Sequence, residues 1–269
     1  MRTFLRAQAV LQTSFYLKPS PSHTKLQLFH QSCRKNSKTR IMGSTDMPAG
    51  SSTVNSKVHW TLETALANVP SPVTAPSSSP LAFLHILEKL KTTPREGWRK
   101  HGVSNGESIS DHMYRMSIIS MLCPDPVVNR DHCVKMAIVH DMAESLVGDI
   151  TPFDGIDKNE KHSRELQTMK YLTQTLLTPS NPQIADEILS IWQEYENGST
   201  PEAIFVKDVD KFELLCQTVE YEKKCEGQKD LSEFLWVANV IKTDYVKKWA
   251  SDLLEERDAF WRDVNEKKE

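Results

Sequence analysis

The stretch from Ala137 to Asp149, AIVHDMAESLVGD, is built for burial and yet charged. As one helix from about Asn129 to Val147, stopped at Gly148, it carries Val134, Met136, Ala137, Ile138, Val139, Met142, Ala143 and Leu146. Those apolar side chains go nearly all the way round, the pattern of a helix enclosed by protein. His140, Asp141 and Glu144 interrupt that surface. A buried carboxylate is costly unless it is paired or coordinates a metal. On a continuous helix His140 and Glu144 share a face, with Asp141 about 100° round. The chain must therefore fold so that other elements answer these polar groups.

Two segments offer that answer. Ser108-Ile-Ser-Asp111 reads as a capping box opening a helix to about Leu122, with His112 inside the stripe of Ile109, Met113 and Met116. Thr200-Pro201 opens another helix to about Tyr221, and FVKDVDKFELL within it sets Asp208 and Asp210 among apolar residues. Neutral imidazole with carboxylate oxygen is a suitable ligand set for Mn²⁺, Co²⁺, Fe²⁺ or Zn²⁺. Four such groups on three helices make a workable metal site in a bundle core. The plainer alternative is a metal-free core in which the histidine and aspartate bond each other or nearby backbone.

The rest of the chain reads as further helices: Leu81, Leu84, Leu87 and Leu90 on one face after Ser79-Pro80, a charged helix over about 157–176, another over about 182–195, and a final pair over about 231–265. No strand alternation and no repeat emerges, so the expected fold is all-α, one domain over 81–265. No apolar run approaches the ~20 residues that span a membrane. The five cysteines form no C-x-x-C pair and read as reduced core residues.

Charge divides the chain. Residues 1–45 hold eight basic residues and no acid, leaving 25 basic against 36 acidic residues elsewhere. The acidic body argues against polymeric nucleic acid as a partner. The first 45 residues match an organelle transit peptide, plastid or mitochondrial, while initiation at Met42 or Met47 would leave a cytoplasmic form. Residues 46–80 read as a Ser/Pro-rich linker unable to fold alone. Lys158, Lys161 and Arg164, spaced by three on the charged helix, read as a solvated face.

The order His112, His140-Asp141, Asp210 resembles the HD superfamily of metal-dependent phosphohydrolases. GWRKHGVSNGESISDHMYRM, AIVHDMAESLVGDITP, EKHSRE and WQEYENGSTPEAIFVKDVDKFELLCQTVEYE extend the resemblance over nearly all of 81–260, to the 5′-deoxynucleotidase branch. The resemblance implies a divalent metal, manganese, cobalt or magnesium, on His112, His140, Asp141 and Asp210, with Asp210 preferred to Asp208. It implies Glu144 as the group that exchanges a proton at the reacting water or leaving oxygen. It also implies Glu144, Asp149 and the Ile150 carbonyl as donors to a second ion, with Asp149 alternatively bonding the sugar 3′-hydroxyl. The substrate would be a 2′-deoxyribonucleoside 5′-monophosphate, with Trp98 beside the sugar, and the assembly a homodimer through the last helices. The bacterial branch has an arginine just before this tryptophan, for the phosphate. Here Gly97 stands there, and Arg95, Arg99 and Lys100 are the nearby cations. Cyclic, tri- or polyphosphorylated nucleotides, a catalytically silent nucleotide-binding module and a metal-free helical scaffold are the other readings.

Overall fold

The computed structural model describes residues 59–69 and 78–268. The transit segment expected at 1–45, with Met42 and Met47, and most of the linker lie outside those residues. Among the described residues there is no strand, only an isolated bridge between Pro94 and Ser108. The expected all-α class holds.

Helix α4 (Ile109–Ser120) begins as its capping box dictates: Asp111 N–H donates to Ser108 Oγ at 3.2 Å, and Ser108 N–H donates back to Asp111 at 2.9 Å. Helix α5 (Arg130–Val139) starts at Asn129, whose side chain accepts from His132 N–H. Helix α8 (Pro182–Asn197) follows an Asn181 cap, and α9 (Pro201–Lys224) a Thr200 cap, each with proline at its first position. The 24-residue α9 is the spine, touching α4, α5, α8 and α10 (Asp244–Glu266). The main core lies among these helices, around Met116, Met136, Leu172, Trp192, Phe205 and Leu215.

Three sequence expectations are corrected. The helix expected from 129 to 147 breaks at His140, and the chain makes tight turns before the four-residue α6 (Glu144–Val147). The His140 ring explains the break. Its Nδ1 donates to the Ala137 carbonyl at 2.9 Å, taking the acceptor that the amide of Asp141 would use. Bonds of the i→i+3 kind follow, from Met142 to Val139 and from Glu144 to Asp141, both 3.0 Å. Ile138, read as buried, is about half exposed. The stretch read as linker contains α1 (Leu62–Ala67), which packs on α6 and on α7 (Lys158–Lys170).

One short element escapes the periodicity, α3 (Glu96–Lys100), which follows α2 (Leu81–Thr92), and the first of the pair of helices expected over 231–265 is instead a 3₁₀ segment, Ser232–Val240. Both border the site. In the last helix Val246 and Ala250 are buried, and Tyr245, Trp249 and Leu253 pack on the core.

Candidate metal centre

Helices α4, α5 and α9 bring the predicted ligands together. His112 and His140 are buried, their ring centroids 5.6 Å apart. His140 Nε2 lies 3.0 Å from Asp141 Oδ2, and His112 Nε2 lies 3.2 Å from Asp210 Oδ1 and 3.9 Å from Asp141 Oδ2. One ligand atom each from His112, His140 and Asp141 falls within 4.8 Å of the others.

Both imidazoles are oriented from behind. His112 Nδ1 donates to Glu213 Oε2 at 2.5 Å, and His140 Nδ1 to the Ala137 carbonyl. Each Nε2 is thereby aimed at the cluster, and both are buried with no aligned hydrogen-bond partner. An unsatisfied buried polar atom calls for a further partner. Two ligands bound at about 2.1 Å and roughly at right angles stand about 3 Å apart. The observed spacings of 3.0 and 3.2 Å match that geometry, so the residues present fit a divalent cation.

The electrostatics agree. Burial works against ionisation of Asp141, but His140 and Arg95 outweigh it and hold the carboxyl well below the usual range. Asp210 is likewise depressed, burial being outweighed by the His112 imidazole 3.2 Å away. Glu144 goes the other way: burial, then the charges of Asp141 and Asp149, push it well above the ordinary carboxylate value. Separation of neighbouring carboxyls in this manner marks sites of proton exchange.

A cavity of about 350 Å³ opens over the cluster, lined among others by Arg95, Trp98, Asp141, Glu144, Asp149, Ile150 and Asp210. Arg95 sits amid the acids, with Nη1 3.3 Å from Asp141, 3.6 Å from Asp149 and 4.0 Å from Glu144. Asp149 Oδ2 also accepts from Glu96 N–H at 2.6 Å, and the Ile150 carbonyl accepts from Lys161 at 3.1 Å. Trp98 is buried against Tyr221 and Phe234, its indole N–H bonded to Glu107.

Other assignments move. Arg99 does not line the cavity; its side chain is 63% exposed and pairs with Glu96. Lys100 is taken by Thr151 and Asp154. Lys161, read as part of a solvated face, lines the cavity instead, while Lys158 is exposed and Arg164 pairs with Glu160. Asp208 is not at the cluster: its Oδ2 accepts from Lys242 N–H at 2.9 Å and Thr243 N–H at 2.7 Å, at the head of α10.

Glu213 and Tyr195 touch the cluster, and the sequence analysis singles out neither. Tyr195 donates to Asp210 at 3.2 Å and tilts its ring against His140. The signal for Glu213 was there, a carboxylate one turn beyond Asp210 in an apolar helix. Tyr195, one turn beyond Ile191, reads only as core.

His112, His140 and Asp141 cluster in a helical bundle with Asp210 beside His112, the residue order of the HD domain, and this chain belongs to that family: its profile matches residues 87–249. The 5′-deoxynucleotidase hdd1 of Schizosaccharomyces pombe is 52% identical over 194 residues, 72% of this chain and 98% of that protein. The 5′-deoxynucleotidase YGK1 of Saccharomyces cerevisiae is 50% identical over 204 residues, 74% of this chain and 95% of that one. A solved structure of the HD domain-containing protein YGK1 superposes with a TM-score of 0.54, covering 74% of this chain and 94% of the other.

Proposed function

We propose that this protein is a metal-dependent 5′-deoxynucleotidase, hydrolysing 2′-deoxyribonucleoside 5′-monophosphates to deoxynucleoside and phosphate. The observation that carries the reading is the pair of buried, unpartnered Nε2 atoms of His112 and His140, facing Asp141 and Asp210 at the floor of the cavity. The names of the relatives supply the substrate class. Those four side chains would hold a divalent ion, manganese, cobalt or magnesium, which would polarise a phosphoryl oxygen and make water a stronger acid.

The residues of the chain do the rest. Glu144 Oε2 is buried, lines the cavity and has no hydrogen-bond partner. With its pKa raised by burial, it is suited to take the proton of an attacking water and return it to the leaving 5′-oxygen. Trp98 forms an apolar wall for the sugar and leaves a 2′-hydroxyl unpaired, a modest preference for deoxyribose. Arg95, shared among Asp141, Asp149 and Glu144, balances the charge of the acids. A second ion on Glu144, Asp149 and the Ile150 carbonyl would compete with Arg95 and Lys161, which engage those groups here. Metal stoichiometry decides between one ion and two. The acid-free N-terminal 45 residues support delivery to a plastid or mitochondrion.

The test is phosphate release from dAMP, dCMP, dGMP and dTMP and from the matched ribonucleotides, using metal-stripped protein with Mn²⁺, Co²⁺, Mg²⁺ or Zn²⁺ restored singly. The expected result is metal-dependent turnover that favours deoxynucleotides and is lost in His140→Ala and Glu144→Ala. Silence with every monophosphate and metal would overturn the reading.

A further inference from the structure

The cavity over the cluster is lined by three cations, Arg95, Lys161 and Lys207. A phosphomonoester carries up to two negative charges, and a side chain that recognises it needs donors to spare. Arg95 is shared among Asp141, Asp149 and Glu144. Lys161 bonds the Ile150 carbonyl and stands 3.5 Å from Glu165. Lys207 differs from both. Its ammonium rests 4.0 Å over the ring of Tyr195 and forms no ion pair among the described residues. Its neighbour Lys211 is directed elsewhere, to the Lys207 carbonyl at 2.6 Å and to Asp208 at 3.8 Å.

Lys207 lies against the end of α8 and the Tyr195 ring. Gly198 ends α8 with a φ of +61°, and a Cβ there would come within 2.9 Å of Lys207 Cε and 3.3 Å of Cδ. The lysine stem occupies the space that a side chain at 198 would fill, and the Tyr195 ring lies beneath the ammonium. The ring contact favours this placement of the ammonium before any ligand arrives, so less ordering is needed on binding. Lys207 and Asp210 stand at i and i+3 on α9, on one face of the helix. The same Tyr195 that carries the ammonium on its face donates its hydroxyl to Asp210. Burial lowers the Lys207 pKa against the pull of Glu196 and Asp210, the state of a cation short of hydration.

We infer that Lys207 is the residue that binds the phosphate group of the substrate, positioned by a slot made of Gly198 and Tyr195. The inference rests on the phosphomonoesterase reading of the site, and it answers what replaces the arginine lost at Gly97.

The experiment uses the full chain loaded with manganese. Inorganic phosphate is titrated calorimetrically, and dAMP turnover is measured beside it, in the wild type, Lys207→Met, Lys207→Arg and Lys158→Met. Lys207→Met keeps the stem and removes the charge. It is expected to weaken phosphate binding by roughly tenfold to a hundredfold, the range of a charge-assisted bond. KM for dAMP should rise in step, while metal content, melting temperature and inhibition by deoxyadenosine, which lacks the phosphate, stay unchanged. Lys207→Arg should recover part of the phosphate affinity, and Lys158→Met should match the wild type. Unchanged phosphate affinity in Lys207→Met overturns the inference. So does a loss of metal or of melting temperature equal to the loss of binding, which would make the lysine a structural partner of Tyr195. A wild type that binds phosphate through Lys207 but turns over no deoxynucleotide would sink the proposed activity and leave the inference standing. Turnover with Lys207-independent phosphate binding would do the reverse.

Discussion

His112 offers one nitrogen to the cluster because Glu213 takes the other. Glu213 is itself fixed: fully buried on α9, it accepts from Arg115 Nε at 2.7 Å, and Arg115 reaches on to Gln217 and Glu220. Burial and Arg95 oppose a charge on His112, yet Glu213 and Asp210 outweigh them and raise its pKa to about 10. Metal binding at Nε2 therefore displaces a proton, and affinity should rise with pH. A carboxylate behind a ligating imidazole fixes its tautomer and raises its basicity, and its loss typically costs 10–100-fold in metal affinity. Glu213→Ala should weaken manganese binding by about that factor, read by direct titration. Glu213→Gln, which keeps an acceptor for Nδ1–H, should lose less. Equal affinity in all three proteins would mean that packing alone orients the ring.

Helix α9 carries two aspartates that a sequence pattern barely separates, and the helix separates them in space. Positions 208 and 210 are two apart, about 200° round the axis, so one faces the cluster and the other α10. Asp208 accepts two backbone N–H groups at the start of α10, which otherwise has no side-chain cap. Asp208→Ala should lower stability by about 1–3 kcal/mol while leaving metal affinity near wild type. Asp210→Ala should abolish tight metal binding with a smaller effect on the unfolding midpoint of the metal-stripped protein. Urea melts and metal titration of both variants check the pair, and an exchange of the two phenotypes would move the ligand to Asp208. His112, His140 and Asp141 stand out in the sequence as polar groups set in apolar stripes, which needs no tertiary information to detect, but Asp208 shares that pattern with Asp210 and only the family resemblance chooses between them. The break at His140 was not legible. It arises from one side-chain bond to the Ala137 carbonyl, and nothing in the apolar pattern distinguishes that ring from one pointing outward. Lys161 shows the same limit, since charge spacing on a helix does not say which face meets a cavity.

The fold is larger than the segment that the family profile covers. Residues 59–69 precede residue 87, where the profile begins, and yet they are part of the packed body. Composition hid them, because the serines and prolines of 46–80 outweigh the Leu62, Ala65 and Leu66 stripe and the Thr61 cap of a six-residue helix. In the structure Trp60 donates to the Leu146 carbonyl at 3.4 Å and faces Arg164, Val69 is buried, and Lys89 bonds the Asn68 carbonyl. Much of this lands on or beside α6, the four-residue helix that begins with Glu144. A single helical turn has no stability of its own and takes its shape from what it packs against. A chain beginning at Ser78 should therefore unfold at lower urea than one beginning at His59. The expected difference is about 2–4 kcal/mol, the scale of a few half-buried apolar side chains and an indole. Its manganese affinity should change little, because His112, His140, Asp141 and Asp210 are held by α4, α5 and α9. Its kcat should fall, because the helix that loses its cover is the one that places Glu144. Identical unfolding midpoints would show that α1 rests on the domain without supporting it. A parallel loss of metal would show that the support extends past α6 to the ligands themselves.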